Sequence, residues 1–393
     1  MTHHLPLALS FLLAGALLAS PGIPQGMNRF AASAYRQMAG GQDNLILSPF
    51  SIATALSMLL DGARGQTAAG IAAALEQVNP GSAYHAAIAS LATELTKQAN
   101  VGSNRLAVAN GLWVQKGFPL QPDFEQTLRT IYHAPLTPVD FHMPEQARQE
   151  INAWTAQQTN DKIQELFPRG SIEATLRLVL TSAIYFYGKW LVPFDRQNTR
   201  PEPFQVGGGR TVEAKFMHRS ADFLYAETPD AQILEMKYAG TQLAFDILLP
   251  KATGGLPALE QSLKAETLDA WLGTLRIRKV ETAIPKFRAT SAFSLRDMLS
   301  RMGMADAFLK TADFSGIDGR RDLCVGDVFH DAFVEVSEEG TEAAAATGIT
   351  VRPMLARRPE EPVVFRADHP FTFLIRDTAS GVILFEGRLL DPK

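Results

Sequence analysis

One cysteine, Cys324, is all the thiol chemistry in this chain of 393 residues. No intrachain disulfide can form and no cysteine-based metal cluster can assemble. A lone thiol reads as a small buried hydrophobe before it reads as a nucleophile. Positive charge is not in excess either. The formal net charge is -4, which argues against nucleic acid as a partner, since phosphate neutralisation needs a basic surface. The most basic short run, Arg276-Ile277-Arg278-Lys279, alternates with apolar residues and reads as a strand with one solvated face. No apolar run is long enough to span a membrane.

Catalytic signatures are missing too. There is no Gly-x-Ser-x-Gly, no His-Glu-x-x-His, no phosphate loop and no Gly-x-Gly-x-x-Gly. The eight histidines are scattered, apart from the His3-His4 pair. His330 and Asp331 are adjacent in a strand-like run, so their side chains point to opposite faces and cannot orient one another. His330 therefore reads as a buried structural histidine. The chain is not expected to be an enzyme or to carry a metal or cofactor.

What is present is apolar material for a large core, 46% of the chain. The apolar run at residues 5–19 has the length of a secretory h-region, followed by Pro21, so residues 1–26 are read as a signal peptide or N-terminal extension. Export, to the outside or the periplasm, is the preferred location; a start at Met27 would instead leave the protein in the cytoplasm. No linker or repeat divides residues 27–393, which read as a single domain. Helices gather early. Ser48 caps a helix opened by Pro49, Thr67 is placed to cap a second one from Ala68, and "INAWTAQQTNDKIQELF" has a helical apolar period. Strands gather later, in "LRLVLTSAIYFYGKW", in a hairpin turning at Ala239-Gly240 and in a C-terminal hairpin turning at 378–381. That order indicates an α+β fold.

The segment "EEGTEAAAATGITVRPMLARRPEEP" fits helix, strand and loop at once. Read with period two, Thr341, Ala343, Ala345, Thr347, Ile349 and Val351 form an uncharged face. Glu342, Ala344, Ala346, Gly348, Thr350 and Arg352 form the other, which holds every charge. Proline and charge downstream suit an exposed, protease-accessible loop. The segment reads as loop in one state and strand in another.

The motifs around it resemble the serpin family from about Met27 to Lys393. "NLILSPFSIATALSMLLDGARGQT" is similar to the family's shutter, with Asn44, Ser48, Pro49 and Ser51 in matching places. "ANGLWVQ" with Asn110 and Trp113 matches as well, and "LVLTSAIYFYGKW" brings Trp190 to the breach where insertion begins. "VFHDAFVEVSEEGTEAAAAT" carries the shutter His330 and the hinge Glu338, Gly340, Thr341, Glu342, Ala343, Ala344, Ala345 and Ala346. Ser182, where asparagine is usual, and Thr372, where a large apolar residue is usual, depart from the pattern.

The resemblance implies three β-sheets with a large central one, eight or nine helices around them, and an exposed reactive-centre loop at 338–362. The lack of disulfides is similar to prokaryotic members. It also implies a monomeric suicide substrate that traps a serine protease as a covalent acyl-enzyme, with papain-like cysteine proteases as a second target class. Threonine and short side chains at the hinge resemble inhibitory members. Counting about seventeen residues from Glu338 places the bait at the Met354-Leu355 bond, for elastase-, chymotrypsin- or subtilisin-like enzymes. Arg357-Arg358 is the alternative bait, for trypsin-like ones. No basic helix face suggests a heparin-like activator.

Overall fold

The computed structural model describes residues 22–77, 81–134, 136–207, 209–341 and 361–393. The expected N-terminal extension lies outside the described residues up to 21. Its remainder is helical: the first helix is Ile23–Met38, with Pro24 in its first turn, and Ile23 packs in the main core.

Ser48 caps the helix Pro49–Gly62, its Oγ accepting from the Ser51 N–H at 3.1 Å. The next helix starts at Gly65, so Thr67 lies inside it and does not cap it. Its hydroxyl instead bonds the Asp306 carboxylate and accepts from the Asp313 N–H at 2.8 Å, a tertiary use that a local capping rule cannot see. The third expected helix is Pro144–Gln158 and ends early. Asn160 and Asp161 take positive φ, 51° and 59°, and turn the chain back. Asn152 then bonds both the N–H and the C=O of Phe167, each at 2.9 Å, so the later apolar residues pack onto the helix and do not extend it.

The fold is α+β. Ten α-helical segments occur among the described residues, two of them only four residues long, against eight or nine expected. Hydrogen bonds trace two sheets among these residues where three were expected. The cause is the strand Arg210–Glu227, 18 residues long. It pairs with Thr199–Gly207, Arg276–Pro285 and Ala231–Lys237, and so joins layers that shorter strands would keep apart. Both expected hairpins form, with Gly240 and Gly381 at φ of 71° and 77°. The C-terminal strands Phe371–Asp377 and Ile383–Leu389 lie inside this sheet, buried at every residue.

The six-stranded sheet runs in the order Phe287–Ser294, Asp327–Val336, Gly340–Thr341, Leu178–Lys189, Arg105–Gln115, Leu136–Val139. Its long inner strands, Asp327–Val336 and Leu178–Lys189, pair directly and in parallel from Asp327 opposite Val179 to Phe333 opposite Tyr185. Beyond Phe333 they part, and Gly340–Thr341 fits between them. One face of this sheet rests on the main core and the helix Pro49–Gly62. The other carries a second cluster in which the helix Pro144–Gln158 packs with Trp113, Phe167, Val179 and Phe329.

Candidate functional site

The top of the parted sheet is built around a tight turn. Ser337 and Gly340 bond one another through the backbone, 2.8 Å from the Ser337 N–H to the Gly340 oxygen, so the chain reverses at Glu338-Glu339. It then re-enters antiparallel, with Thr341 opposite Val336 on one side and opposite Gly188 on the other. Glycine is required at 340 for a steric reason: a Cβ there would lie 1.9 Å from the Gly188 carbonyl oxygen.

Trp190 holds this turn from the neighbouring strand. Its indole N–H donates to the Ser337 oxygen and its backbone N–H to the Glu339 oxygen, each at 2.9 Å. Its ring stacks on Tyr238 at 4.7 Å, and the Tyr238 hydroxyl lies 2.6 Å from the Thr341 Oγ1. Thr341 is fully buried. The two acidic residues of the turn are also tied. Glu338 accepts from Thr199 at 2.9 Å and pairs with Lys286 at 2.7 Å, while Glu339 pairs with Arg196. Burial alone would raise the Glu338 carboxyl, but the Lys286 ammonium, with the backbone and Thr199 hydrogen bonds, leaves it below the usual range.

Lower in the same sheet, where the inner strands are still paired, a buried polar chain links them to the start of the helix Pro49–Gly62 and to Asn110. The Ser48 N–H donates to His330 Nε2 at 3.0 Å, and His330 Nδ1–H donates to the Ser182 oxygen at 2.7 Å. The Ser48 donor fixes the tautomer, because Nε2 must offer its lone pair. Ser182 Oγ donates to Ser51 Oγ at 2.9 Å, which donates to Asn110 Oδ1 at 2.8 Å. The Asn110 amide returns to the Ser51 oxygen at 3.0 Å. Burial pushes His330 down to about 4, so its ring is neutral at physiological pH. Ser182 is shorter than the asparagine usual at its place, yet it bonds both Ser51 and the strand that carries His330.

The resemblance assigned these residues to a shutter, a breach and a hinge, and they lie in two places. Ser48, Ser51 and His330 meet in the lower chain, beside Pro49 at the helix start. Trp190, Glu338, Gly340 and Thr341 meet at the turn. Asn44 joins neither: its side chain clamps the C-terminus, accepting from Leu390 and Asp391 and donating to the Asp391 oxygen at 2.6 Å. Glu342, Ala343 to Ala346, Met354, Leu355, Arg357 and Arg358 lie outside the described residues. Tyr238, Lys286, Thr199 and Arg196 were missed, since their roles arise from distant strands. Gly188 was legible in principle. A glycine inside a buried strand marks a close backbone approach.

A family model described as "Serpin (serine protease inhibitor)" matches residues 25–392. An uncharacterised serpin-like protein of Thermococcus kodakarensis is 38% identical over 94% of this chain and 86% of its own. The leukocyte elastase inhibitor of Bos taurus is 40% identical over 89% and 93%. Among solved structures, Serpin48 of the insect Tenebrio molitor, described as a highly specific serpin, superposes with a TM-score of 0.85 at 32% identity, covering 95% of this chain and 99% of that one.

Proposed function

The chain belongs to the serpin family, and on that premise we propose that it inhibits serine proteases as a suicide substrate. The observation that carries the proposal is Thr341, seated as the first rung between two inner strands whose remaining length is closed by direct pairing. A segment of matching alternation follows it in the sequence. The protease serine oxygen bonds the carbonyl carbon of Met354, the Met354-Leu355 bond breaks, and the Leu355 amine leaves with a proton. The freed hinge then extends the strand begun at Gly340–Thr341, parting 327–333 from 179–185 and carrying the acylated protease with it. Met354 suits enzymes that accept an unbranched apolar side chain. The name of the bovine relative supports elastase-like targets among them. Arg357-Arg358 is the alternative bait, and papain-like cysteine proteases are a second target class.

Export belongs to the same proposal. Cleavage before Gly22 would leave the helix Ile23–Met38 whole, whereas a start at Met27 would delete its first turn and the buried Ile23. The mass of the mature N-terminus decides between the two.

Mixing the protein with elastase, chymotrypsin, subtilisin and trypsin, followed by denaturing gels and mass analysis of the released peptide, tests inhibition. A denaturant-resistant complex with a peptide starting at Leu355 is expected. A peptide starting at Arg358 moves the bait to Arg357. Cleavage without a complex from any of the four sinks the inhibitory reading and leaves a binding protein on the same fold.

A further inference from the structure

The basic run Arg276-Ile277-Arg278-Lys279 plays no part in the hinge or in the buried polar chain. It opens the strand Arg276–Pro285, whose outer neighbour is the edge strand Val363–Arg366. The two are parallel, with Val363 opposite Val280 and Val364 opposite Glu281. The same register places Glu361 level with Arg278, so the chain enters the edge strand from the end of the sheet that carries the basic run. Ile277 and Val364 are 70% and 61% exposed, the highest values among the large apolar residues described. Alternation puts them on one face with Lys279 and Glu281, with Leu224 beside Ile277 on the next strand. Ile277 and Val364 lie about 13 Å apart along the strands, at about 3.3 Å per residue.

Any protease on the bait bond must come near this face. Glu361 lies six residues after Leu355, a tether of at most about 20 Å. A protease of ordinary size has a radius of gyration on the order of 17 Å. We propose that the outer face bearing Ile277, Lys279 and Val364 is a second docking surface for the body of the target protease, outside its active-site cleft. This rests on the inhibitory reading above. The partner chemistry follows from the surface: an apolar patch to cover Ile277 and Val364, and a carboxylate to meet Lys279. Lys279 makes no ion pair among the described residues, so its charge is available. The patch is small, so its effect lies in encounter and selectivity between proteases, not in trapping.

The test compares association rate constants of wild type, I277E/V364E and K279E with elastase, chymotrypsin, subtilisin and trypsin, at low and high salt. These side chains are exposed, and an unchanged melting temperature checks that each variant folds. With at least one protease, I277E/V364E should associate roughly tenfold more slowly, and K279E should flatten the salt dependence. The fraction of encounters ending in covalent complex should not change, since docking precedes cleavage. Rates within twofold of wild type for all four enzymes would overturn the second surface while leaving inhibition intact. An equal drop with all four would overturn it too, marking a disturbed loop. Absence of any complex from wild type would instead fell the inhibitory reading, and this proposal with it.

Discussion

His330 is kept neutral by a pocket that offers it one donor and one acceptor. Its folded value of about 4 lies below the ordinary 6.5. A base depressed on folding contributes stability that is full above 6.5 and is lost as pH falls from 6.5 towards 4. The loss is on the order of 3 kcal/mol. Asp246, Asp331 and Glu386, which burial pushes up to about 7, about 7 and about 8, slope the other way over the same range. The comparison to make is therefore between wild type and His330→Asn. In chemical denaturation, the stability advantage of wild type should shrink by about that amount between pH 7.5 and pH 4.5. A constant difference would mean that the ring does not resist protonation. Gly340 is the other sensitive residue. Gly340→Ala would drive a Cβ into the Gly188 carbonyl and push the turn out of the sheet. A lower melting temperature is expected, with a loss of roughly 1–3 kcal/mol. Neither residue type announces this role alone. His330 read as buried and structural because its neighbour faces away, and the structure places it at 0% exposure. Asn44 misled for the opposite reason: four residues from Ser48 in the chain, it turns towards the C-terminus in space.

At the scale of elements, the turn and the two residues after it set a register for everything that would follow. Thr341 stands opposite Val336 and Gly188. Continuing antiparallel would bring Ala343 beside Val334 and Phe186, Ala345 beside Ala332 and Ile184, and Thr347 beside His330 and Ser182. All of these neighbours are buried on the core side. Glu342 would fall on the other face beside Glu335, which already pairs with Arg288 at 3.1 Å. Thr341→Arg should therefore place an unpaired charge in a fully buried site, at a cost of several kcal/mol, and divert roughly tenfold more protease to simple turnover. Glu342→Ala removes a like-charge neighbour and should leave inhibition intact. Quantifying complex and cleaved product for both variants checks this, and equal loss in both would refute the facing. That alternation was legible in the sequence because strand periodicity is a local property. The merging of the sheets was not, because it depends on how far Arg210–Glu227 runs before it bends. Nor were the ends of helices set by tertiary partners, as at Thr67 and Asn152.

For the whole molecule, the open question is why a sheet with room for another strand remains closed. Its inner strands hold one another through seven parallel pairings, which must part before a strand can enter. The helix Pro144–Gln158 and its cluster cover the face that would have to open. Those contacts form the barrier. The reward is larger: a strand of about a dozen residues pairs along both edges, and after the parallel pairings are subtracted on the order of a dozen hydrogen bonds remain. At about 1 kcal/mol net each, that is ~10 kcal/mol, comparable to the stability of an ordinary domain. Unfolding entropy near 2.1 cal/mol/K per residue gives roughly 0.8 kcal/mol/K for a chain of this size. Nicking the loop should therefore raise the melting temperature by roughly 10 °C or more, the reverse of what cutting a chain does to most proteins. The measurement is a thermal melt before and after limited cleavage with a protease that does not form a complex. An unchanged or lower melting temperature would mean that the strand does not enter, and Thr341 would then be the end of the hinge and not the start of a strand.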